Sequence, residues 1–201
     1  PLSLVATNYL LITYQHISKC KLSVSHFFNV TVLARANMLI IQCDCAGTCK
    51  FANSLDEVWA VLCDPDFRVE RSIALGELSA ECDIEEDDDT AKVHMVREVV
   101  RELPSVLAKI FSSKQTLEFE ESWQRSKKGW EGTLVIDVRN QPVELTAKIS
   151  LLETSDGCEY SVSHRCKAKI PLVGGKVEKF ILSQTDTGAL DELNYLKKKL
   201  A

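Results

Sequence analysis

The stretch from Ile170 to Leu200 constrains this chain more than any other. A β-type run ends at Pro171, Gly174 and Gly175 let the backbone turn, and a long amphipathic helix follows. Val173, Val177, Phe180, Ile181, Ala189, Leu193, Leu196 and Leu200 recur at helical spacing, with Gln184 and Gly188 in the same stripe. Strand-like runs precede it, so this apolar face belongs across a curved sheet. A sheet gripping one long terminal helix is a natural way to enclose an apolar cavity, which points to small-molecule binding without naming the molecule.

The strand-like runs number seven. The first spans about Leu39 to Phe51; Asn53 or Ser54 then caps a helix with Asp56 and Glu57 in its first turn. Asp64-Pro65 starts a second short helix that ends near Gly76. Strand two alternates through Leu78, Ala80, Cys82 and Ile84, and strand three through Ala91, Val93, Met95, Arg97 and Val99. Pro104 opens a segment, through Ser113, that reads as a short helix. Strand four carries Leu117, Phe119, Glu121 and Trp123 on one face, and Lys127-Lys128-Gly129 is a turn. Strand five has Trp130, Leu134, Ile136 and Val138 in phase, and strand six Val143, Leu145, Ala147, Ile149 and Leu151. After the hairpin signal Asp156-Gly157, strand seven carries Cys158, Tyr160, Val162, His164, Cys166, Ala168 and Ile170. Sequential strands joined by short turns make an antiparallel meander, so the class is α+β.

Composition narrows the function. The 201 residues make one domain with an appendage; 45% are apolar and 26% charged, as in an ordinary globule. A net charge of −5 argues against nucleic acid and anionic membrane surfaces as partners. The run Glu85-Glu86-Asp87-Asp88-Asp89 reads as a solvated hairpin tip, because the alternating ligands and turn glycine of a calcium loop are missing. Of eight cysteines, Cys43, Cys45 and Cys49 share a strand face with Ile41, Gly47 and Phe51; they read as small buried hydrophobes rather than a metal site. Neighbours on one strand face do not readily pair as disulfides, which suits a reduced, cytoplasmic protein. Residues 1–37 read as an extension outside the fold, with Met38 a plausible start. The stretch Leu2–Tyr14 lacks a basic leader, and Val24–Cys43 is too polar for a membrane span.

The element order resembles the helix-grip fold of the START-like (SRPBCC) superfamily, which includes polyketide cyclases, plant pathogenesis-related ligand binders and lipid-transfer domains. FANSLDEVWAVLCDPDF (Phe51–Phe67), LPSVLAKIF (Leu103–Phe111), Trp123 and IPLVGGKVEK (Ile170–Lys179) resemble one branch more closely, the domain of unknown function 2505 family. The resemblance covers Met38 to Ala201. It implies a fold and a cavity, and carries over no catalytic residues.

Strand phase yields the cavity inventory. Arg97, Glu121 and His164 are polar residues on inward faces, with Met95 as a soft neighbour. Arg97 and Glu121 are expected to pair, while His164 would donate to a ligand or act as a base. Each could instead lie at a strand end, open to water. Tyr160, Phe111 and Phe180 complete the candidate ligand contacts. Trp59, Trp123 and Trp130 read as structural, although Trp123 and Trp130 could rim a pocket. The segment Pro104–Ser113 is either a mobile cover or a fixed plug. No nucleophile elbow, P-loop or dinucleotide fingerprint is present, so no cofactor is expected, and Gly174-Gly175 serves chain reversal. The leading expectation is a binder of an apolar or amphipathic molecule (lipid, isoprenoid or polyketide-like). The alternatives are a cyclase- or dehydratase-type enzyme using an inward acid–base residue, and a filled module that engages a protein partner.

Overall fold

The computed structural model describes residues 45–201 except residue 106. The expected N-terminal extension, and the part of strand one before residue 45, lie outside the described residues. The elements are β1 (Cys45–Phe51), α1 (Leu55–Leu62), α2 (Pro65–Ala74), β2 (Ser79–Glu86), β3 (Thr90–Val100), β4 (Lys114–Ser126), β5 (Gly129–Val138), β6 (Val143–Thr154), β7 (Gly157–Ala168) and α3 (Gly174–Lys199). The strands form one open, curved, seven-stranded antiparallel sheet in the order β1-β7-β6-β5-β4-β3-β2. β2 to β7 are a meander. β1 pairs with β7, so α1 and α2 carry the chain from one sheet edge to the other.

Local chemistry sets the boundaries. Ser54 caps α1 in a capping box: its hydroxyl accepts from the Glu57 N–H, and its own N–H donates to the Glu57 carboxylate at 2.8 Å. Asp64 caps α2 through the N–H groups of Asp66 and Phe67, with Pro65 in the first turn. The acidic run closes the β2–β3 hairpin, where Asp87 accepts from the backbone of Asp89 and Thr90. At the β6–β7 turn, Gly157 has φ 135°, and a Cβ there would sit 2.1 Å from the Phe51 carbonyl oxygen.

One face of the sheet carries the core. Odd-numbered positions of β3 from Ala91 to Val99 are buried, as are those of β6 from Val143 to Leu151. Trp59 of α1 stacks on Trp130 with centroids 4.0 Å apart and meets Trp123 edge-on at 5.3 Å. α3 packs on β7 and β1 and touches α2. It is buried at Val177, Leu182, Leu193 and Leu196, but only half-buried at Phe180, Ile181, Gly188 and Ala189 between them.

The expected helix at Pro104–Ser113 is instead a pair of tight turns. Leu107 and Ala108 bond back to the Pro104 carbonyl, and Ile110 and Phe111 to that of Leu107. So short a stretch does not overcome helix nucleation. Burial of Leu107 and Phe111 against Val143 and Val177 holds it in place.

Candidate functional site

Between the sheet and α3 lies a cavity of about 350 Å³. Leu117 and Phe119 of β4, Leu134 and Ile136 of β5, and Phe180 and Ile181 of α3 supply apolar wall. Leu103, Leu107 and Phe111 close one end.

A cluster of charges occupies the α2 side. Arg68 donates to both Glu121 oxygens at 2.7 and 3.0 Å and to the Leu62 carbonyl at 2.6 Å. The Trp123 indole adds a bond to Glu121 at 2.7 Å. Burial alone would raise the Glu121 carboxyl, but Arg68, the Trp123 indole and Arg71 together outweigh it and hold the group below the usual carboxylate range. Glu192 of α3 bridges Arg97 at 2.6 Å and Arg71 at 2.7 Å. The two guanidinium groups overcome the burial of Glu192 and pull its carboxyl down to about 2. Arg97 also lies 4.3 Å from the Phe119 ring centroid and donates Nε to Met95 Sδ at 3.2 Å. Glu77 stands 3.6 Å from Arg97 and from Arg101, and burial outweighs them to raise its carboxyl.

The expected Arg97–Glu121 pair does not form. In the β3–β4 register Arg97 faces Leu117 while Glu121 faces Val93; four residues along a strand is about 13 Å. Each takes a helix-borne partner instead.

On β7, His164 is 2% exposed, and its Nδ1 lies 3.1 Å from Asp186 Oδ1. A carboxylate only accepts, so Nδ1 donates the proton of this bond. His164 and Tyr160 both line the cavity. Neither His164 Nε2 nor the Tyr160 hydroxyl hydrogen-bonds another of the described residues.

Of the eight sequence candidates, Arg97, Glu121, His164, Tyr160, Phe111 and Phe180 line the cavity. Met95 and Trp123 stand behind the wall, where Met95 supports Arg97 and Trp123 supports Glu121. Arg68, Arg71, Glu77 and Glu192 were missed. A signal existed for three of them. Arg68 and Arg71 are three apart on one face of a short helix, and Glu192 falls four residues from both Gly188 and Leu196, inside the apolar stripe.

The thiols of half-buried Cys63 and Cys166 and of buried Cys158 are held neutral: burial pushes the first two up to about 12 and Cys158 to about 11. Among the described residues, no group of three or more His, Cys, Asp or Glu side chains is arranged to hold a metal ion. Nor is any helix there long and apolar enough to cross a membrane.

A family model described as "Protein of unknown function (DUF2505)" matches residues 47–199. Among curated proteins, none matches the chain in sequence. Among solved structures, protein TTHA0849 from Thermus thermophilus is similar with a TM-score of 0.52 and 12% identity, covering 77% of this chain and 94% of its own. The Zhui aromatase/cyclase from Streptomyces sp. R1128 gives 0.51 and 11%, covering 79% and 93%. A STAR-related lipid transfer protein from Xanthomonas axonopodis gives 0.48 and 15%, covering 76% and 84%. At such identities the likeness is one of fold alone.

Proposed function

We propose that this chain, which belongs to the DUF2505 family of proteins of unknown function, binds an apolar or amphipathic small molecule between its sheet and α3. A lipid, an isoprenoid or a polyketide-like compound fits the description. The observation that carries the reading is the cavity of about 350 Å³, apolar over most of its wall and polar at a few convergent side chains. Its volume falls in the range of roughly 300–1,000 Å³ common to ligand sites. Burying apolar ligand surface contributes about 25 cal/mol per Å² before ordering costs. A reducing, cytoplasmic setting accords with the neutral free thiols. Native mass spectrometry of the protein purified from its own host tests the reading. A bound small molecule at one per chain is expected; a chain that carries none, and takes up none from a lipid extract, overturns it.

A second reading, an acid–base enzyme of the cyclase or dehydratase type, is favoured by one observation. Asp186 holds Nδ1 of His164, a residue of the cavity wall. Replacing His164 with Ala separates the two readings. An enzyme loses conversion of the captured molecule while still holding it, whereas a binder shows no conversion to lose.

A further inference from the structure

Arg71 and Glu77 are buried charges that each keep one atom without a hydrogen-bond partner, Nε and Oε2. The Arg71 side chain is 5% exposed and lines the cavity. It reaches Glu192 at 2.7 Å, but its Nε has no hydrogen-bond partner. Arg68, one turn away, donates three bonds. Glu192 is divided between Arg71 and Arg97, and Glu77 is paired with Arg97 and Arg101 instead. Burial pushes Arg71 below the ordinary arginine value; Glu192 opposes this, but the neighbouring charges of Arg68 and Arg97 add to it. A site that resists a positive charge in this way gains from an arriving negative one.

Tyr160 supplies a second group. It approaches the cavity from β7, whereas Arg71 comes from α2. Its hydroxyl hydrogen-bonds no other of the described residues. Burial, reinforced by Glu121, raises the pKa of the phenol, so it keeps its proton and can donate. Of the carboxylates nearby, Glu77 lies 3.6 Å from Arg97 and from Arg101, and the other two are held elsewhere. Arg68 and Trp123 hold Glu121, and Glu192 is bridged between two guanidinium groups.

We propose that Arg71 and the Tyr160 hydroxyl form a headgroup subsite, and that the ligand is an amphiphile ending in a carboxylate. A planar guanidinium suits a planar oxyanion, and the apolar wall receives the hydrocarbon. The proposal rests on the cavity-binding reading and deepens it.

The test titrates the full chain with dodecanoic acid and with dodecan-1-ol at neutral pH, below their aggregation concentrations, by calorimetry. One charge-assisted hydrogen bond predicts that the acid binds about tenfold or more tightly than the alcohol. Arg71→Met moves that ratio towards one, and Tyr160→Phe lowers it several-fold. A thermal melt accompanies each variant. Should Arg71→Met fail to fold, Tyr160→Phe decides, since it removes one oxygen and keeps the ring. Equal binding of acid and alcohol, or a ratio that folded variants leave unchanged, overturns the headgroup subsite while the cavity reading stands. Failure of both probes to bind at one per chain overturns both.

Discussion

The Arg68–Glu121 pair shows what a buried charge does for a small cavity. Both side chains are largely withdrawn from water, at 4% and 12% exposed, and desolvating two ions costs much of what their attraction returns. The two-pronged geometry and the Trp123 bond close the account locally. Removing one partner is then far worse than removing both. Glu121→Gln leaves Arg68 charged and uncompensated, and is expected to cost about 3–5 kcal/mol in urea titrations. Arg68→Met with Glu121→Leu is expected to cost less than either single change; a double variant at the sum of the singles contradicts the pairing. Glu192 makes the same point through pH. Its carboxyl titrates at about 2 in the folded chain, against about 4.3 unfolded. The lower folded value means that ionisation favours folding: the contribution is complete above about 4.3 and is lost as pH falls towards 2. Stability measured across that window should fall more steeply in the parent than in Glu192→Gln, which starts lower at neutral pH because Arg71 and Arg97 lose their shared partner. Glu77, whose folded value is raised, acts oppositely, its contribution fading as pH rises.

Between residues and the whole, the elements divide by how local their causes are. The strands were legible because alternation is a two-residue signal and the turns carry their own chemistry. Gly157 illustrates this. The Asp156-Gly157 pair marks the hairpin in sequence, and its φ of 135° with the Phe51 oxygen pressed close explains why no side chain fits. Gly157→Ala is expected to cost about 1–3 kcal/mol, read as a lowered thermal midpoint; an unchanged midpoint would mean that the β1–β7 edge does not need this close approach. Pro104–Ser113 misleads because its apolar spacing suits a helix while its length does not. Tertiary burial of Leu107 and Phe111 decides its shape, and no local window contains that information. The charge partners escape for a related reason. Alternation says that Arg97 and Glu121 point inward, yet what each meets depends on how α2 and α3 lie over the sheet.

At the scale of the molecule, the terminal helix is buried unevenly along its apolar stripe. Val177, Leu193 and Leu196 anchor it, whereas Phe180, Ile181, Gly188 and Ala189 stay half-buried although they lie in the same apolar stripe. The sequence announces that stripe, but it does not say where the stripe faces packed side chains and where it faces open space. That difference separates a closed core from a cavity, and one residue probes it. Gly188 lines the cavity, and a Cβ added there meets nothing within 4 Å. Gly188→Ala should therefore stabilise the chain by up to about 1 kcal/mol through helix propensity alone. Gly188→Leu extends a larger side chain into the same space. It is expected to keep the thermal midpoint at or above that of the parent while abolishing uptake of a small molecule by native mass spectrometry. A Leu variant that still fills with ligand would place the bound molecule elsewhere; one that melts well below the parent would mean that the helix has no slack at Gly188 to give.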